Sequence, residues 1–195
     1  MINREDALNF IKNKVPQENI VKHMLACEAL MGGVYDHLLG KGVDDLGGTK
    51  EEWMIAGLIH DGDYCPDVSV DKQGIQIVEW LKEAGYDIHN NVAQTTASHN
   101  WHNTGNEPKS LMDWALFCGD TLTGLIVATT LVRPERKLAL VEVDSVMKKF
   151  KDPSFAAGTR RNDIKLCEEK LSLPLERFID IGLKSMQGIS NKLGL

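Results

Sequence analysis

The sequence predicts an all-α fold, a bundle of eight or nine helices. Three observations carry this. Apolar residues recur at helical spacing over several windows, no stretch shows a convincing sheet pattern, and capping residues, Gly and Pro punctuate the apolar runs. The 195 residues suit one domain and suffice for a substantial core. Hydrophobic residues make up 43% and charged residues 26%, the balance of a folded globular chain rather than a disordered one. A net charge of −6 speaks against broad binding to nucleic acid or to a membrane surface. Cys27, Cys65, Cys118 and Cys167 are scattered without a CxxC pair, which suits reduced thiols. The first residues are charged and carry no long apolar region, and the best apolar run, 122–132, is short for a bilayer. These features predict a cytoplasmic protein.

Residues 3–14 read as a short amphipathic helix with Ala7, Leu8, Phe10 and Ile11 for packing, stopped by Pro16. A longer helix follows over 18–39, with Ile20, Met24, Cys27, Met31, Val34 and Leu38 as its core stripe. His23 lies one residue off that stripe, with Cys27 and Leu30 on its own side; alone, such a residue reads as a core histidine. The Gly-rich connection 40–48 leads into EEWMIAGLIHDGDY, residues 51–64. Thr49 and Glu52 form a capping-box pattern, the run from Trp53 to Ile59 is apolar, and His60-Asp61 ends it. An imidazole and a carboxylate at the end of a buried helix need partners, and a metal ion uses both at once. A cap or surface pair is the simpler reading of the dipeptide taken alone. Asp63, just beyond, fits either a turn or support for a nearby ligand.

The next helix is predicted over 70–84, with Ile75, Val78 and Leu81 inside, and another over 88–100 after Gly85. Residues 110–131 should form the central helix, because apolar residues surround it on nearly every side. Asp120 therefore sits where a charge needs a metal or a strong ion pair, and Asp113, seven residues earlier, competes for that role. Beyond Pro134 the chain is more polar. Residues 138–143 fit a short helix or an extended segment, and helices are expected over 160–171 and 173–192, separated by Ser172 and Pro174. The basic residues Lys148, Lys149 and Arg160 read either as a solvated face or as contacts for substrate phosphate.

In order along the chain, His23, His60-Asp61 and Asp120 form an H…HD…D pattern, set within the phrases IVKHMLACEALM, AGLIHDGDY, TASHN and CGDTLTGLIVATTLVRP. The set resembles the HD-domain superfamily of metal-dependent phosphohydrolases, especially its small stand-alone members, and the similarity runs through KKFKDPSFAAGTRR to the C-terminus. The resemblance implies one HD-type domain over 1–195, with a metal-site core at about 18–132 and a helical extension at about 133–195. It implies that His23, His60, Asp61 and Asp120 hold a divalent ion (Mn, Mg, Fe, Co, Ni or Zn), with Asp61 also orienting the attacking water. His99 matches a His-Asn after the corresponding helix, for contact with metal, phosphate or leaving group. His102 echoes a His-x-Thr-Gly phrase from a dinucleotide-polyphosphate hydrolase branch; only one of the two fits, and His99 is preferred.

Branches holding two metals carry a His-Gly phrase where this chain has Gln73-Gly74, and an amide is a poorer ligand than imidazole. One ion is therefore expected, and the iron-dependent oxygenase chemistry of some HD proteins is disfavoured. The expected activity is hydrolysis of a phosphomonoester or phosphodiester, a nucleotide or related small molecule. A homo-oligomer is compatible with it. The alternative from another class is a regulatory module that binds metal or nucleotide without turnover.

Overall fold

A computed structural model describes residues 1–195 and contains eleven α-helices, two short 3-10 turns and no strand. Helix α1 (Arg4–Lys14) starts at Asn3, whose side chain accepts the Asp6 N–H, and ends before Pro16. Its Arg4 donates through two nitrogens to the carboxylate of Glu28, a buried residue of α2 (Glu18–Gly40). Helix α3 (Lys50–Ile59) opens on the expected capping box: Thr49 Oγ1 accepts from Glu52 N, and Glu52 accepts from Thr49 N. Helices α2 and α3 meet at Gly57, where a Cβ would stand 2.8 Å from the Cys27 carbonyl oxygen. Glycine is required there because the two backbones are nearly in contact.

The helix expected over 70–84 is interrupted. A 3-10 turn spans Val70–Lys72, Gly74 adopts a left-handed φ of +87°, and α4 (Gln76–Glu83) begins beyond it. The cause is Asp63, a fully buried carboxylate that accepts the N–H of Gly74 (3.0 and 2.9 Å) and of Ile77 (2.9 Å). Asp63 thus supplies the anion at the start of a helix eleven or more residues away. The segment expected as one helix over 88–100 forms α5 (Asn90–Ser98), followed by the single turn α6 (Trp101–Thr104).

Helix α7 (Leu111–Leu131) is the central helix, with fourteen buried residues. Asp113 is not a competitor for metal. It completes a capping box with Ser110 and accepts from the N–H of Ser110 (3.1 Å) and Lys109 (2.9 Å) and from the Thr95 hydroxyl (2.5 Å). By length and composition α7 is apolar enough to cross a bilayer, longer than the run 122–132 suggests, yet 67% of that stretch is buried within the protein.

After a 3-10 turn at Leu138–Leu140 come α8 (Val143–Phe150), α9 (Arg161–Lys170), α10 (Leu175–Gln187) and α11 (Ser190–Leu193). The α6 and α11 elements are single turns, so nine longer helices remain, in line with the predicted number. Helix α9 packs on α7 and α10 packs on α2. Ile164, Phe178 and Ile179 consequently join the same core cluster of 47 residues as Met24, Leu58 and Phe117.

Candidate metal centre

Three helices deliver the polar groups. His23 faces inward from α2, His60 and Asp61 end α3, and Asp120 lies halfway along α7. His23 Nε2 stands 3.1 Å from His60 Nε2, 3.0 Å from Asp120 Oδ1 and 3.6 Å from Asp61 Oδ2. His60 Nε2 is 3.6 Å from Asp61 Oδ2 and 3.9 Å from Asp120 Oδ1. Donors held about 2.1 Å from one ion lie roughly 3.0 Å apart when adjacent and up to about 4.2 Å apart when opposite, and the separations here fall within that span. Two imidazoles and two carboxylates suit Mn, Fe, Co, Ni or Zn, and less readily Mg.

The hydrogen bonds behind the rings support the same conclusion. His60 Nδ1 is 2.9 Å from the Gly57 carbonyl, an acceptor, so the ring proton belongs there and Nε2 presents a lone pair. Thr123 donates its hydroxyl hydrogen to the Asp120 carbonyl (2.8 Å) and therefore accepts from His23 Nδ1 (3.1 Å). His23 Nε2 then also presents a lone pair. Two lone pairs 3.1 Å apart need a cation between them, and a metal or a proton supplies it.

Without an ion, the carboxylates and imidazoles of the site hold one another's charges. Burial favours the neutral Asp61 acid, but the charges of His60, His99 and His23 hold its carboxyl well below the usual range. Asp120 is brought down to about 2, against the burial effect, by His23 and His60. Burial, reinforced by His99 and His23, pushes His60 down to about 4 despite Asp61, so its ring is neutral near pH 7. Burial also acts to lower His23, yet Cys27 and Asp120 raise it well above an ordinary imidazole.

His99 belongs to the cluster rather than to an exposed turn. It is 5% exposed, its ring packs edge-on against His60, and its Nε2 lies 3.4 Å from Asp61 Oδ1. Its Nδ1 is 2.6 Å from the Thr96 carbonyl, which fixes that ring in the same sense as His60. Burial opposes its charge and Asp61 more than restores it, so its pKa is raised. The ring rests on Gly74, where a Cβ would stand 2.9 Å from His99 Nδ1. His102 points elsewhere, stacking on Trp101 and meeting Asp163 at 3.0 Å.

Arg160 reaches this centre and the two lysines do not. Arg160 Nη2 lies 3.3 Å from Asp120 Oδ2, and its Nε donates to Asp163 at 2.7 Å. A cavity of about 410 Å³ opens between His23, Asp120, Arg160 and the loop residues Ala156–Thr159. Lys149 instead lies over the Phe155 ring at 4.4 Å, and Lys148 is exposed on α8; neither lines that cavity.

Arg161 organises the loop wall. Its guanidinium donates to the carbonyls of Phe150 and Asp152 (both 2.8 Å), Lys149 (3.3 Å) and Thr159 (3.4 Å), among others.

Two further residues escape a reading of the sequence. Cys27 groups with His23, His60 and Asp120 within reach of one ion, its Sγ 3.9 Å from His23 Nε2. Its position four residues after His23 was the available signal. Thr123, three residues after Asp120, is the support that orients His23.

A scan against protein-family models finds no match to the chain, and searches of curated proteins and of solved structures find none either. The conclusion at this level is therefore geometric: an all-helical protein in which His23, Cys27, His60 and Asp120, and likewise His60, Asp61 and His99, lie within metal-binding distance.

Proposed function

We propose that this protein is a metal-dependent phosphohydrolase of the HD type, acting on a small phosphomonoester or phosphodiester. The observation that carries the reading is the convergence of His23, His60, Asp61 and Asp120, with Arg160 3.3 Å from Asp120 beside an open cavity. His23, His60, Asp61 and Asp120 would hold a divalent ion, which would supply a Lewis acid for a phosphoryl oxygen and acidify a water.

The chain's own groups do the rest. Arg160 pairs with a phosphoryl oxygen and opposes charge accumulating there. Asp61 orients the water and takes its proton as the new P–O bond forms. His99, with its raised pKa, gives a proton to the leaving oxygen as the ester P–O bond breaks, and recovers one through Asp61 Oδ1. The products are an alcohol and a phosphate, or a phosphomonoester from a diester.

The test is a phosphate-release screen of nucleotides and generic phosphoesters with Mn, Mg, Co, Ni and Zn, with Asp61→Ala and Asp120→Ala as controls. Turnover that requires metal and falls at least 1000-fold in both variants, with helical circular dichroism retained, supports the reading. Stoichiometric metal binding without turnover across the panel replaces it with a binding module.

A further inference from the structure

On the hydrolytic reading above, the walls around His23 also select the organic part of the substrate. Two cavities meet at His23 and Gly124, which line both. The first holds Asp120 and Arg160 and takes the phosphoryl group. The second, about 430 Å³, lies on the other side of His23 and is walled by Ala26, Val127, Leu131, Leu193 and Leu195, with Asn19 and Lys22 also bordering it.

Gly124 marks the passage between them. Glycine in a helix interior is destabilising relative to alanine, and here no packing demands it, since an added Cβ would meet nothing within 4 Å. The missing side chain leaves open space at a position that borders both lobes. Leu131 is 46% exposed on the second lobe, an apolar surface available to a ligand.

We propose that the substrate is a phosphoester of an apolar chain, with its phosphoryl group beside Asp120 and Arg160 and its chain crossing Gly124 into the second lobe. A nucleoside fits this lobe poorly, because base edges need hydrogen-bonding partners. The Thr123 hydroxyl is already committed to the Asp120 carbonyl and His23, and Lys22 is paired with Glu18 at 2.9 Å. Asn19, exposed at the border, is left as a single amide for a base that needs several partners. An alkyl group asks nothing of these side chains and is attracted simply by leaving water.

The test measures binding, so it does not depend on turnover. Manganese-loaded protein is titrated calorimetrically with methyl-, butyl- and octylphosphonate, none of which can be hydrolysed as an ester. Affinity is expected to rise about fourfold per methylene until the lobe is filled. In Gly124→Phe, and separately in Leu131→Lys, the octyl-to-methyl affinity ratio is expected to fall at least tenfold. Equal affinities for the methyl and octyl compounds, no binding of octylphosphonate, or a ratio unmoved in both variants overturns the proposal. Phosphate release from n-alkyl phosphates reports the hydrolytic reading separately: chain-dependent phosphonate binding without any release leaves the lobe standing and removes the hydrolase.

Discussion

The Thr123 hydroxyl stands 3.1 Å from His23 Nδ1 while giving its own hydrogen to the Asp120 carbonyl at 2.8 Å. One side chain on α7 thereby fixes the tautomer of a ring on α2 and couples it to the turn bearing Asp120. Thr123→Val keeps the shape and deletes the acceptor. Metal affinity should drop about 10- to 100-fold, the usual cost of removing such a support, with the helical spectrum unchanged. Competition against a chromophoric chelator measures it, and an affinity within twofold of the parent protein contradicts the role.

The raised pKa of His23 sets the direction of a pH dependence. In the metal-free protein the ring keeps its proton at pH values where an ordinary imidazole, with a pKa of about 6.5, has lost it. Metal must displace that proton, so apparent affinity rises with pH by up to tenfold per unit and continues to rise above pH 6.5 before levelling. Asp61 and Asp120, held low, are ionised throughout this range and add no slope. Titrations from pH 6 to 9 in buffers of different ionisation enthalpy should show proton release on binding. An affinity that is flat above pH 6.5 would contradict this assignment.

Asp113 and Asp120 separate stability from binding. Asp113→Ala removes the acceptor for two backbone N–H groups and the Thr95 hydroxyl, and should cost about 2–3 kcal/mol in urea denaturation. Its metal affinity should stay within twofold of the parent. Asp120→Ala should do the reverse, losing metal while retaining most of the stability. Weakened metal binding in Asp113→Ala at temperatures where the protein is folded would undo the distinction.

The legibility of this site follows from how local each signal is. His60 and Asp61 could be placed at the end of α3 because a capping box and an apolar run define that helix by themselves. Apolarity does not separate Asp120 from Asp113, which lies on the same helix and is the more deeply buried at 1% exposed; the H…HD…D resemblance favours Asp120. The role of Asp63 could not be read this way, since its partners Gly74 and Ile77 lie eleven and fourteen residues on and are brought back by tertiary folding. The same long-range bonds break the helix expected over 70–84, where apolar spacing gives no warning of the left-handed Gly74. Arg160, Lys148 and Lys149 share one basic stretch, yet only the path of the loop before α9 brings Arg160 to Asp120 and leaves Lys149 on Phe155. Sequence separates charge from apolarity well and says little about which of several neighbouring charges arrives.

The guanidinium of Arg161 fastens the stretch from Lys149 to Thr159 at carbonyl after carbonyl. A wall held in this way is a poor hinge, and the passage past Ala157 and Gly158 therefore stands ajar before any ligand comes. Encounter then requires no gate to swing, and departure none to reopen. The same permanence admits bulk solvent to His23 and Asp120. For a short-lived radical or oxidant that would be a leak; on the hydrolytic reading it is a supply line, because the solvent is itself the second reactant.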